Sequence, residues 1–215
     1  AVLMEPLQGE GGVYPASREM METLAELQNK KGILLIFDEV QCGLGRTGKV
    51  FAYEHYGVQP DILTLAKSLG GGLPIGAALA RDKVAKVFQP GTHGSTFGGN
   101  PVACAAAKAV LQVLQEEGLV KQAAITGEYM KARLKALCEK YPFIKEVRGM
   151  GLLLGMELDR PGQDLVALCQ ERGLLINCTA ERVIRFLPPL ITTKDEVDQA
   201  LGILDDALQV FQERG

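Results

Sequence analysis

Short, unbroken apolar runs alternate with amphipathic stretches through the first half of the chain. Residues 1–4 form an apolar run that leads into the polar, glycine-rich stretch Glu5-Pro6-Leu7-Gln8-Gly9-Glu10-Gly11-Gly12. Ser17 stands where a helix N-cap is wanted. Met20, Leu24 and Leu27 then recur at helical spacing, and Lys30-Lys31-Gly32 supplies a basic last turn with a glycine stop. Apolar runs at 33–37, 62–66 and 75–80 have the length of buried strands, and a short helical stretch near 50–56 is ended by Gly57 and Pro60. Strands alternating with helical segments predict an α/β layer on a mostly parallel sheet.

The second half has longer periods. Asn100-Pro101 caps and starts a helix with alanine at 103, 105, 106, 107 and 109, ending near Gly118. Small side chains permit close approach, so this helix is predicted to be well buried. Another long helix runs from 119 to about 140, where Tyr141-Pro142 stops it. Residues 144–148 and 152–158 read as an antiparallel pair about a Gly149-Met150-Gly151 turn. A helix over 164–172 ends at Gly173, and 174–178 and 183–187 read as strands. The last helix opens with a capping box, Thr193 to Glu196, and carries an apolar stripe at Val197, Leu201, Leu204, Leu208 and Phe211. The change of style predicts two domains, 1–115 and 116–215.

Composition narrows the class. With 47% hydrophobic and 23% charged residues over 215 positions, the chain can bury a sizeable core, and no apolar run is long enough to span a membrane. A net charge of −3 gives no reason to expect nucleic acid or an anionic membrane as partner. The five cysteines are odd in number and scattered, and there are only two histidines, which argues against a disulfide framework or a metal site and for a reducing cytoplasm. Ala1-Val2-Leu3-Met4 reads as mid-strand without an initiator, so the chain is expected to be a piece of a longer one.

Two strand ends carry candidate chemistry. The run 62–66 delivers Lys67 just ahead of Gly70-Gly71-Gly72, and the run 33–37 delivers Asp38-Glu39. Carboxyl ends of parallel strands are where open sheets bind ligands. A lysine there either reaches solvent or, where burial favours the neutral amine, becomes a nucleophile toward carbonyl compounds. Gly43-Leu44-Gly45-Arg46-Thr47-Gly48 matches G-x-G-x-x-G with Asp61 downstream. That pattern alone is a weak dinucleotide signal, and here Asp38 and Glu39 would face an incoming pyrophosphate. The stretch 92–101, with Ser95, Thr96 and several glycines before a helix start, is either an anion site or an ordinary capped loop. Arg185, on a strand that also carries Val183, Ile184 and Phe186, either seeks a carboxylate or phosphate or reaches solvent from an edge. A strand-end lysine, a strand-end aspartate, a phosphate-type loop and a carboxylate-seeking arginine together describe a pyridoxal phosphate enzyme.

The sequence resembles the class III (ornithine-type) aminotransferases of the fold-type I pyridoxal phosphate superfamily, and within them the acetylornithine aminotransferases. The matching stretches are EPLQGEGG (5–12), LLIFDEVQCGLGRTG (34–48), DILTLAKSLGGGLPIGA (61–77), HGSTFGGNP (93–101) and VIRFLPPL (183–190). The resemblance implies part of a large-domain, mostly parallel sheet followed by a C-terminal α/β small domain. It implies pyridoxal 5'-phosphate held by Lys67 as a Schiff base, Asp38 on the pyridine nitrogen and Gln41 on the phenolic oxygen. Thr96, with Ser95, would contact the phosphate of the other subunit in a homodimer with shared active sites. Arg185 would bind the substrate α-carboxylate, and Glu10 is the acid that pairs with it. The implied reaction moves the terminal amino group of N-acetylornithine or ornithine to 2-oxoglutarate, within arginine biosynthesis. In this family the G-L-G-R-T-G stretch is structural. Succinylornithine or 4-aminobutyrate transaminases, aminomutases and racemases share the fold, and a nicotinamide-dependent dehydrogenase rests on the glycine triplet alone. Family members carry nearly as much chain again before the counterpart of residue 1, including the main phosphate loop, so this half is expected to be incomplete for catalysis.

Overall fold

The structure, a computed structural model, describes residues 1–213. They form two compact units: Ala1–Pro6, Ala16–Gly45 and Lys49–Val120 in the first, and Leu7–Pro15, Arg46–Gly48 and the chain from Lys121 onward in the second. Two short pieces of the early sequence thus group with the C-terminal unit. No helix among the described residues is long and apolar enough to cross a membrane.

In the first unit, β1 (Val2–Met4), β2 (Leu35–Asp38) and β3 (Ile62–Leu65) run parallel, and β4 (Ala77–Ala80) joins β3 antiparallel at the edge. Helix α1 (Arg18–Lys31) starts where Ser17 Oγ accepts the Met20 N–H at 3.1 Å, and it stops at Gly32 with φ 66°. Its buried face differs from the expected one. Met21 and Leu24 are buried while Met20 and Leu27 are exposed. Methionine occupies both 20 and 21, so periodicity cannot choose between two faces one residue apart. The third position of the true face is Gln28, whose Nε2 donates to Asp61 Oδ2 at 2.8 Å.

After β4 come the short helix α2 (Asp82–Ala85) and α3 (Pro101–Glu116). Asn100 Oδ1 accepts the Val102 and Ala103 N–H groups and starts α3 as expected. Its burial is less than predicted. Ala103, Ala107 and Leu114 are covered, whereas Val102, Leu111 and Val113 are exposed. Alanine permits a close contact but does not supply the neighbour that makes one.

The second unit is a two-layer sandwich. Helix α4 (Leu119–Lys140) leads into β5 (Ile144–Met150) and β6 (Leu153–Leu158), followed by α5 (Gln163–Glu171), β7 (Asn177–Thr179), β8 (Val183–Phe186) and α6 (Lys194–Glu213). The sheet order is β5-β6-β8-β7, with every pair antiparallel. Strand β5 runs through the expected turn and includes Gly149 and Met150, and β7 begins later than 174. Gly149 needs its φ of 115° there, because a Cβ would strike the Leu153 carbonyl across the hairpin.

Side chains alternate cleanly in this sheet. Val147, Met156 and Ile184 face the helices and share a core with Leu134, Leu165 and the α6 stripe, whose five predicted residues are all buried. Each buried leucine is worth about 2 kcal/mol. The opposite face carries Arg148, Gly155 and Arg185, which are direct cross-strand neighbours in one row. Segment Leu7–Pro15 lies over that row. Thr179 Oγ1 donates to the Glu10 carbonyl and Arg148 to the Gly12 carbonyl.

Candidate active site

Parallel pairing brings the carboxyl ends of β2 and β3 to one edge of the first sheet, with Asp38 opposite Thr64. Lys67 follows two residues beyond β3 and opens a 3-10 turn, Lys67–Gly70, with φ 44°. A side-chain-bearing residue held in this left-handed region stores strain of about 1–3 kcal/mol, a cost found preferentially at functional positions. Lys67 is exposed in its own unit.

Asp38 is half-buried, and its Oδ1 accepts the Val40 N–H at 2.9 Å, which fixes the carboxylate's orientation. Gln41 lies in the turn that follows, also half-buried. Glu39 points the other way, into the protein. Its two oxygens accept the Ala52 and Tyr53 N–H groups at 2.6 and 2.8 Å, so it caps the 3-10 helix Ala52–His55. Burial pushes its pKa up to about 7, although the two N–H groups pull the other way.

The G-x-G-x-x-G loop leads to this 3-10 helix rather than to an α-helix N-terminus. Gly43 lies against Glu39, where a Cβ would come within 2.8 Å of the Glu39 carbonyl oxygen. Arg46, in the second unit, donates through Nη1 to the Leu152 carbonyl at 3.2 Å and to the Pro188 carbonyl, and the Leu152 N–H returns a 2.9 Å bond to the Arg46 carbonyl. Burial lowers the Arg46 guanidinium to about 10. These polar groups are committed to holding the chain together.

In the stretch 92–101, Ser95 Oγ accepts the Gly98 N–H at 2.9 Å, and Thr96 is exposed. Ser95 also lines a hollow of about 330 Å³ with Ile75, Gly76 and Asn100. The first two backbone donors of α3 are already bonded to Asn100, so this helix start is capped from within.

Arg185 and Glu10 meet directly. Nη1 of Arg185 donates to Glu10 Oε1 at 2.7 Å, and Nε to Asn177 Oδ1 at 3.3 Å from the facing position on β7. The arginine side chain is 7% exposed and the glutamate 73%. A buried cation is thus closed by an exposed anion.

Known proteins carry the same arrangement of sequence. Residues 1–208 match the family aminotransferase class-III. The chain belongs to the class-III aminotransferases. It is 52% identical over 208 residues to the acetylornithine aminotransferase of Methanocaldococcus jannaschii, covering 96% of this chain and 52% of that one. The chain therefore spans about half the length of the curated relatives it matches. A solved acetylornithine aminotransferase from Elizabethkingia anophelis superposes with a TM-score of 0.90 at 41% identity, over 95% of this chain and 55% of that one. An ornithine aminotransferase from Toxoplasma gondii, described with partial occupancy of pyridoxal phosphate at its active site, superposes at 0.93 with 44% identity, over 99% and 51%.

Class-III aminotransferases depend on pyridoxal phosphate, and the first unit carries groups that suit it: a lysine at a strand end and an oriented carboxylate at the same sheet edge. Sequence reasoning did not assign Glu39, Arg148 or Asp61 to any of their observed partners. Asp61 Oδ2 takes the Leu35 N–H at 3.0 Å and Lys83 reaches Oδ1 at 2.7 Å, a tie between β2 and β3. A carboxylate opening an apolar strand run was the available signal.

Proposed function

We propose that this chain forms part of a transaminase that moves the terminal amino group of N-acetylornithine, or of ornithine, to 2-oxoglutarate. Lys67 would hold the cofactor through its carbonyl carbon and, once the substrate amine displaces it there, would be the free amine that takes and returns the proton at the carbon carrying the migrating amine. Asp38 would keep the pyridine nitrogen protonated, and Gln41 would donate to the phenolic oxygen. When bound, pyridoxal phosphate supplies an electron-accepting ring that stabilises a developing carbanion. Thr96, with Ser95, serves the phosphate of the partner subunit in a homodimer with shared active sites. The partners are otherwise small amino acids and 2-oxo acids, and a reducing cytoplasm is the proposed compartment.

The Arg185–Glu10 pair carries this reading. Such an enzyme must accept in turn a donor that reacts through its side-chain amine and an acidic substrate with a second carboxylate. An always-open arginine favours the acidic one and directs the basic donor to its α-amine. Glu10, exposed and bonded to the buried Arg185, would mask that cation for the first substrate and swing aside for the second.

Single-turnover rates of each half-reaction in the full-length protein test this. Glu10→Ala leaves or improves the glutamate half-reaction and damages selectivity for the terminal amine. Arg185→Lys damages the glutamate half-reaction most, since an ammonium lacks the bidentate fork. Equal losses in both halves for the Glu10 variant would reduce the pair to a structural ion pair.

A further inference from the structure

Glu10 stands in a segment with little secondary structure of its own, a single bridge between Leu7 and Pro15 with the Gln8 N–H bonded to the Tyr14 carbonyl at 3.0 Å. The segment is held by the row of residues beneath it and by Thr179, whose hydroxyl donates to the Glu10 carbonyl. Arg148, Gly155 and Arg185 face one another across β5, β6 and β8, at strand spacings of about 4.8 Å. The segment touches each of the three. Glu10 bonds Arg185, Val13 sits over Gly155, and the Gly12 carbonyl sits on Arg148. Val13 is fully buried with φ 57°, and a Cβ at 155 would lie 2.9 Å from its own Cβ, so only glycine leaves room for it.

Arg148 commits its whole fork to this segment and its supports. Nε and Nη2 donate to the Gly12 carbonyl at 2.9 and 2.7 Å, while Nη1 bonds Glu157 and, at 3.0 Å, Glu146. The guanidinium lies 3.7 Å from the centre of the Tyr14 ring, and the Tyr14 hydroxyl donates to Glu157 at 3.2 Å. Arg148 is 6% exposed, yet its bonds to the segment fall two residues beyond Glu10. A planar five-donor group suits this task, since an ammonium cannot both fork onto a carbonyl and stack on a ring.

We propose that Arg148, with Tyr14 and Glu157, is a positioning clamp that sets the Glu10 carboxylate over Arg185 and so helps determine which substrate the enzyme admits. This rests on the substrate-masking reading of the Arg185–Glu10 pair. Arg148 touches no substrate and acts through Glu10. Loosening it releases Glu10 and opens Arg185 to carboxylates.

The test is a double-mutant cycle in the full-length, cofactor-loaded protein. Single-turnover kcat/KM is measured for the N-acetylornithine and glutamate half-reactions in wild type, Glu10→Ala, Arg148→Met and the double variant, with thermal midpoints alongside. The clamp predicts that Arg148→Met lowers the N-acetylornithine half-reaction about tenfold and leaves the glutamate half-reaction unchanged or faster, and that the double variant matches Glu10→Ala alone. Parallel losses in both halves, or losses that multiply in the double variant, overturn it. If Arg148→Met does not fold, Tyr14→Leu, on the half-exposed side of the guanidinium, is read in the same cycle with the same two outcomes. A wild-type protein that moves no amino group overturns the proposed function and the clamp with it, whereas an active wild type with multiplying losses overturns the clamp alone.

Discussion

Glu39 and Ala52 are joined by a 2.6 Å bond from the Ala52 N–H to Glu39 Oε2, at a carboxylate that is 1% exposed. The residue next to it in sequence, Asp38, is half-buried at the carboxyl end of β2 and accepts the Val40 N–H. With its folded-state pKa raised from 4.5 to about 7, Glu39 binds its proton more tightly in the native state than in the unfolded chain. Its stabilising contribution is therefore complete below pH 4.5 and is lost as pH rises to about 7, amounting to about 3 kcal/mol. Denaturant unfolding of wild type and Glu39→Gln from pH 4.5 to 8 checks this. The advantage of the wild type over the variant shrinks across that interval. A difference that stays flat would mean the carboxylate ionises without penalty.

Asp61 gives the opposite sign. Burial raises its carboxyl, but bonds from Gln28, Lys83 and the Leu35 N–H outweigh that and hold it at about 2. The contribution is present above pH 4 and lost as pH falls toward 2, a matter of about 2 kcal/mol. Asp61→Ala also strands the Leu35 N–H between two strands, at a further cost of about 1–3 kcal/mol. Acid titration of stability should show the wild-type limb between pH 4 and 2 flattened in the variant. An unchanged limb would assign it to other carboxylates.

Lys67→Ala in the full-length protein should abolish the visible absorption that a lysine-bound pyridoxal group gives, along with nearly all turnover, with little loss of fold. Removal of the left-handed lysine also relieves strain only if alanine can leave that conformation, so the unfolding midpoint should move by no more than about 1 kcal/mol equivalent. Normal transamination by Lys67→Ala would sink the assignment of the amine.

Thr96 lies exposed in its own chain, as a residue serving a neighbour would. If it binds the partner's cofactor phosphate, Thr96→Ala and dilution below the dimer constant both release cofactor. Equilibrium dialysis at a series of protein concentrations reads this directly. A monomer that keeps its full complement contradicts the shared site.

Much of the fold is legible locally. The α6 stripe is buried at every predicted position because a 3.6-residue period on one long helix leaves a single apolar face. Ser17, Gly32 and Asn100 mark helix ends correctly because caps act within three residues. Asp38 and Lys67 come to one sheet edge because parallel strands point the same way. The face of α1 was misread because two adjacent methionines fit the same period. The burial of α3 was misread because alanine says nothing about what lies opposite.

The sequence by itself determined most of the helices and strands, though not α2 or the turn at Lys67–Gly70, along with where the long helices are capped and which charged residues sit at strand ends or on an apolar strand. These depend on interactions spanning a few residues. Only the tertiary structure decided that Leu7–Pro15 lies on the sheet of the C-terminal unit, that Glu39 turns inward to cap Ala52–His55, and with what geometry Arg185 meets Glu10. That last contact joins residues 175 positions apart, in a segment that lies over the row of Arg148, Gly155 and Arg185 across three strands. Strand register sets such a row, and register is settled by the packing of the whole sheet on its helices rather than by any one stretch of sequence.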